Sequence, residues 1–196
     1  MEEIAKSTIN DTIWITSRVR IIAERKALRN QNVSFLAVTY YSLFSVILSI
    51  FGDFYSKPYP ALDKINLSSS VIVLVASLVA AGFRLEARAS AFRECYLKLQ
   101  SLHDEDLADQ EKKKKYREIM MDFPNHAPND YADLLINHLL LEGKTLTNGG
   151  EKLKYTGLMA FSFFLRATIY WGLLAILFLG PVAFLLLPLF CGSLLS

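Results

Sequence analysis

The sequence predicts an all-α membrane protein with three transmembrane helices per chain, further cytosolic helices and a homo-oligomeric assembly. Three observations predict it. Uncharged runs of 19, 16 and 24 residues occupy positions 33–51, 68–83 and 167–190. The charges are confined to the stretches between these runs. The chain is also 53% hydrophobic and only 20% charged, where a soluble domain has roughly 45–50% and about 25%. With 2 Cys, 9 Gly and 6 Pro in 196 residues, a disulfide-stapled mini-protein and a disordered or collagen-like chain are excluded.

Residues 1–32 are polar, with apolar residues at helical spacing and neither Gly nor Pro, so they read as a basic helix and not as a secretory signal. The run 33–51 follows; at about 1.5 Å per residue it spans roughly 28 Å, close to the hydrocarbon core. Tyr40 and Tyr41 fall near mid-span, so their hydroxyls are expected to face partners within the protein. Gly52, Pro58 and Pro60 break the helix, and Phe54, Tyr55 and Tyr59 form an interfacial aromatic cluster. The second span, 67–83, closes a transmembrane hairpin over 33–83, with Lys64 able to snorkel. A cytosolic helical module covers 84–156, and its first helix, carrying Arg84, Arg88 and Arg93, is expected to continue unbroken out of the second span. Within it come an acidic run at 103–109, four lysines at 112–115, a proline-broken turn at 122–130 with Asn129 or Asp130 as N-cap, an amphipathic helix over 131–141 and a TNGGEK turn at 147–152. The C-terminal region 157–196 holds the third span at 167–190, where Gly180–Pro181 and Pro188 are expected to introduce kinks. The residues 157–165 before it read either as a lead-in or as an interfacial helix.

The total charge of +2 hides an asymmetry: Lys and Arg number 6 in 1–32, 2 in 52–67 and 13 in 84–166. By the positive-inside rule the N-terminus and 84–156 are cytosolic, and the short loop and the C-terminus lie outside. Cys95 and Cys191 then fall in different environments and are not expected to pair.

Catalysis finds little support. EGKT at 142–145 resembles the end of a phosphate-binding loop, but His138 stands where that loop needs Gly. His103, His126 and His138 lack metal-site spacing, and no nucleophile–base pair is readable. No enzyme activity, metal or cofactor is therefore expected.

Two patterns are candidates for function. Trp14, Arg18, Ile22, Arg25 and Arg29 share one helical face. The arginines can meet lipid headgroups, form intersubunit ion pairs, or take the phosphates of a ligand whose base stacks on Trp14. In the spans, Thr39, Ser42, Ser45 and Ser49 form a hydroxyl stripe, and Ser70, Ser77 and Ala81 share a face. Such residues serve close helix packing or line a pore. No ionisable residue lies inside a span, which argues against a proton-coupled transporter or pump.

The order of elements carries a resemblance. Arg18–Arg29 leads into TYYSLFSVILSI, followed by FRLEARASAFRECYLKLQ and then YREIMMDFPNHAPNDY, over residues 15–131. This resembles the SLATT proteins, two-transmembrane effectors of bacterial defence systems. The resemblance implies a homo-oligomeric pore, a tetramer, in the bacterial inner membrane. It implies gating from the cytosolic side by a nucleotide second messenger or single-stranded oligonucleotide made by a partner nucleotidyltransferase, with growth arrest on opening during phage infection (abortive infection). The layout is also similar to that of the Hailong-type subclass, in which a single-stranded DNA oligomer keeps the channel shut. On that reading Trp14, Arg18, Arg25 and Arg29 bind the ligand, and Thr39, Ser42, Ser49, Ser70 and Ser77 line or brace the conduit. The rival readings are a membrane anchor or scaffold that recruits a cytosolic partner protein, and an enzyme with a site built between subunits.

Overall fold

The computed structural model describes the backbone of residues 3–53 and 61–191. The elements in chain order are α1 (Glu3–Ile50), α2 (Leu62–Gly82), α3 (Leu85–Asp104), α4 (Asp109–Asp122), α5 (Pro128–Leu135), a π-helical turn (Ile136–Leu141), a hairpin of β1 (Thr147–Asn148) and β2 (Glu151–Lys152), and α6 (Gly157–Cys191). They fall into two compact units: Met1–Arg29 with Leu85–Arg166, and Asn30–Arg84 with Ala167–Ser196.

In the first unit α1 is the central helix, because both of its sides carry apolar residues. Ile9 and Ile13 pack with Cys95, Leu99 and Leu102 of α3, and Leu107, Tyr116, Ile119 and Phe123 close that cluster. Ile15 and Val19 pack instead with Leu134, Leu135 and Leu146, flanked by Trp14, Ile22, Tyr131 and Leu139. The hairpin turn Gly149–Gly150 has positive φ at both residues, 62° and 85°, the backbone that a two-residue hairpin requires. Its Gly149 N–H donates to Asp11 Oδ2 at 2.9 Å, which ties the turn back to α1.

The second unit holds the uncharged half of α1, α2 and most of α6. Among the described residues, three stretches, Ile9–Ile50, Asp63–Asp104 (α2 followed by α3) and Gly157–Leu186, each contain an 18-residue window apolar enough to cross a membrane. Only 6%, 0% and 6% of those windows is buried within the chain, so their apolar surface is left for lipid or another chain. In α6 the helix runs on through Gly180 and Pro181. Proline has no N–H, so the Leu177 carbonyl one turn earlier loses its helical donor. Tyr41 supplies the replacement: its hydroxyl donates to Leu177 O at 2.8 Å, and Tyr40 donates to Phe178 O at 2.7 Å. The two mid-span tyrosines therefore do face protein partners, and Tyr41 answers the backbone vacancy that the proline opens in an apolar surrounding.

The structure corrects several sequence-based expectations. The helix leaving the second span is not continuous: α2 ends at Gly82 and α3 begins at Leu85. Between them Arg84 adopts φ 45°, a left-handed backbone that stops a helix. The helix that carries the second apolar run begins at Leu62, ahead of that run. The N-cap of α5 is Ala127, not Asn129 or Asp130; Asp130 sits at the third helical position, and its Oδ2 accepts from the Ala127 N–H at 2.8 Å. The 131–141 helix begins at Pro128 and loosens to π geometry from Ile136. Residues 157–166 are the start of the same helix that carries the third apolar run. The aromatic cluster Phe54, Tyr55 and Tyr59 lies outside the described residues, as do Pro58 and Pro60.

Tyr41→Phe is expected to destabilise the protein in detergent by about 1 kcal/mol, because it removes the substitute donor for Leu177. In a Pro181→Ala background, where residue 181 regains its N–H, the same change is expected to cost clearly less. A double-mutant cycle by thermal denaturation checks this, and equal costs in both backgrounds would contradict the assignment.

Candidate ligand and pore surfaces

The four residues Trp14, Arg18, Arg25 and Arg29 lie on the outward side of α1, as their spacing requires. Arg18, Arg25 and Arg29 are exposed and Trp14 is half-buried. Trp14 is engaged on two sides. The Arg18 guanidinium lies over its ring at 5.0 Å from the centroid, and His138 meets it edge-on at 5.9 Å. The π-helical turn brings His138 there, since one extra residue per turn re-aims the side chains that follow Leu135.

Behind this face lie charges that periodicity did not single out. Arg20 is fully buried. It donates through Nη1 to the Pro124 carbonyl, and its guanidinium lies over the Phe92 ring at 5.6 Å. Lys26 pairs with Asp130 Oδ1 at 2.6 Å and also with Asp133 Oδ2. Arg166 pairs with Asp133 Oδ1 at 2.7 Å. Two cations and two carboxylates thus form one neutral network that joins α1, α5 and α6. Both carboxylates are buried, so each needs its partners to offset lost hydration. Thr16 Oγ1 and Tyr116 OH lie 3.1 Å apart, a further link between α1 and α4. The element Tyr116…Pro124-Asn125-His126…Asp130-Tyr131, legible in the sequence only as a turn, is therefore the segment that clamps α4 and α5 onto α1. Arg166 did leave a sequence signal, as the one charge in the apolar stretch 157–190. Asp130 was legible as a residue of the helix start but not as an ion-pair partner, and Arg20, Lys26 and Asp133 left no signal.

Burial pushes the His126 imidazole below its ordinary value near 6.5; the neighbouring Arg20 charge acts in the same direction, and Asp130 opposes it. Burial likewise pushes the Cys95 thiol up, with Arg20 and Lys98 opposing and Glu94 reinforcing the rise. A fully buried thiol of this kind is a packing residue and not a nucleophile.

Of the hydroxyls in the spans, Thr39, Ser42 and Ser49 are exposed on α1 within the chain, whereas Ser45 is half-buried. Phe35, Thr39, Ser42, Val46 and Ser49 lie at alternating spacings of four and three on this exposed face. Ser49 Oγ donates to the Ser45 carbonyl at 3.0 Å and accepts from Asn66 Nδ2 at 2.8 Å. On α2, Ser70 is exposed and Ser77 half-buried. Both donate back into their own helix, to Asn66 O at 2.9 Å and Leu74 O at 2.7 Å.

The family model described as "SMODS and SLOG-associating 2TM effector domain family 5" matches residues 2–187. The match covers nearly the whole chain and runs through all three apolar helices, and the chain belongs to this family. No curated protein and no solved structure matches it significantly.

Asp133→Asn is expected to cost about 2–4 kcal/mol in a chemical-denaturation measurement, since it removes the negative charge shared by Lys26 and Arg166 and turns one of the two acceptor oxygens into a donor. Breaking the exposed Lys98–Glu94 pair with Glu94→Ala is expected to cost under about 0.5 kcal/mol. Because the folded state resists protonation of His126, that imidazole's contribution to stability is complete above pH 6.5 and is lost as pH falls through the depressed folded value. Thermal denaturation against pH is expected to show this decline, and His126→Gln is expected to flatten it.

Proposed function

We propose that this chain is the membrane-permeabilising effector of a bacterial anti-phage, abortive-infection system, acting as a homo-oligomeric ion channel in the inner membrane. The observation that carries the reading is the bare surface of the apolar helices: three helical stretches able to cross a bilayer bury almost nothing within their own chain. Two or three spans cannot enclose a conduit alone, so symmetry must supply the wall, and four copies form it. Membership of an effector family supports an active role for these helices over passive tethering.

The first unit, on the cytosolic side by the distribution of Lys and Arg, receives the trigger: a nucleotide or single-stranded oligonucleotide made by a partner nucleotidyltransferase. Arg25 and Arg29 attract its phosphates, and Trp14 and Arg18 contact its base. Thr39, Ser42 and Ser49 line the conduit, and Ser70 and Ser77 brace it. Helix α1 is the coupling element, since it carries both the basic face and the hydroxyl face. The ligand acts by binding the open and closed states unequally, without which no equilibrium moves. Opening dissipates ion gradients and arrests growth.

A membrane anchor or scaffold that recruits a cytosolic protein is the second reading. The back-bonded hydroxyls of Ser70 and Ser77 favour it, because a serine committed to its own helix suits packing as well as a wetted wall.

Purified protein in dye-loaded liposomes is expected to give ion flux that changes on addition of single-stranded oligonucleotide. Ser42→Leu, which replaces a hydroxyl on the exposed face of α1, is expected to reduce the flux severalfold without loss of protein from the membrane. Liposomes that stay tight with and without oligonucleotide would support the anchor instead.

A further inference from the structure

The first unit contains a groove of about 320 Å3 between α1 and α3. Its floor is formed by Ile13 and Leu99, both fully buried, with buried Ser17 beside them. Its polar walls are Trp14 and Arg18 on one side and Gln100, His103 and Asp104 on the other. Small-ligand pockets start near this volume, so one ring with its sugar fits and a folded polymer does not.

The walls carry both signs of charge. Arg18 of α1 and Asp104 of α3 both line the groove, and Asp104 Oδ1 lies 3.1 Å from His103 Nδ1, which leaves its other oxygen to accept. A phosphate entering here meets the Asp104 carboxylate and is poorly matched. A flat, uncharged heterocycle with donors and acceptors on its edge is well matched. Arg18 lies on the Trp14 ring, so its guanidinium extends the aromatic platform, and bases stack on guanidinium planes as they do on indoles. The exposed Gln100 amide both donates and accepts, and Asp104 accepts from an exocyclic amine, which are the edge contacts used to read bases. Arg25 lies about 10 Å further along the same face of α1, with Arg29 one turn beyond, outside the groove.

We propose that this groove receives one nucleobase per chain, stacked on the Trp14–Arg18 platform and read by Gln100 and Asp104, while the ligand's phosphates track Arg25 and Arg29. The inference rests on the nucleotide-gated reading above and deepens it: Arg18 serves the base and not the phosphate, and the ligand must carry bases.

The test uses the full-length Trp171→Phe protein, so that indole emission reports Trp14 alone. It is titrated with a short single-stranded DNA and with an abasic deoxyribose-phosphate chain of equal length. The base-bearing DNA is expected to quench Trp14 and to bind about tenfold tighter or more. The double variant Gln100→Ala/Asp104→Ala changes only exposed side chains, and it is expected to bring base-bearing DNA down to the affinity of the abasic chain. Equal binding of the two chains with unchanged Trp14 emission would overturn the groove and leave the nucleotide reading standing on Arg25 and Arg29. Tighter binding of the base-bearing chain that ignores the double variant would also overturn it, since the base is then read elsewhere. Failure of both chains to bind would overturn the groove and the oligonucleotide-gated reading together.

Discussion

Asp133 holds two cations from two different helices, Lys26 of α1 and Arg166 of α6, and the architecture of the first unit depends on this sharing. Each cation sits just before its helix turns apolar: Lys26 precedes the run that starts at Val33, and Arg166 directly precedes the run from Ala167. Helices this long and uniform carry little information about register, because an apolar face packs tolerably at many offsets. A carboxylate that must neutralise both cations while buried permits one offset. Asp130 adds a second constraint, since the same side chain closes the N-terminus of α5 and pairs with Lys26. The network therefore sets the position of α5, and with it the π-helical turn that brings His138 to Trp14.

The second unit obeys a different constraint. Away from water, every backbone donor and acceptor needs an internal partner. Pro181 breaks that accounting at Leu177, and Tyr41 restores it from α1. The result is a polar contact between two apolar helices, specific in register where apolar packing alone is permissive. The same reasoning applies to Ser49 and Asn66, which join α1 to α2 by one hydrogen bond. Among the described residues, most of the remaining apolar surface of the candidate spans stays uncovered within the chain.

Much of this was legible before any coordinates. Absence of charge over 33–51, 68–83 and 167–190 predicts three helical stretches, and helical spacing alone places Trp14, Arg18, Arg25 and Arg29 on one face. Those are local properties, written in periodicity. The groove beside Trp14 was not legible, because Gln100, His103 and Asp104 lie more than eighty residues away, in a stretch that reads as a plain polar helix end. The break at Arg84 was also hidden: an arginine gives no warning of a left-handed backbone, and the nearby Gly82 lies at the end of α2 and not at the positive φ.

The sequence by itself determined the predominantly helical class, the candidate spans and the exposed face of the basic helix. Each follows from composition and from the fixed 3.6-residue period, which need no knowledge of distant neighbours. The tertiary structure alone decided which charges are buried and with whom, which carbonyl each mid-span tyrosine meets, and that the arginine–tryptophan face borders a cavity. These are pairings between residues far apart in the chain. Their energies depend on burial and on distances of a few ångströms, quantities that exist only once the helices have packed.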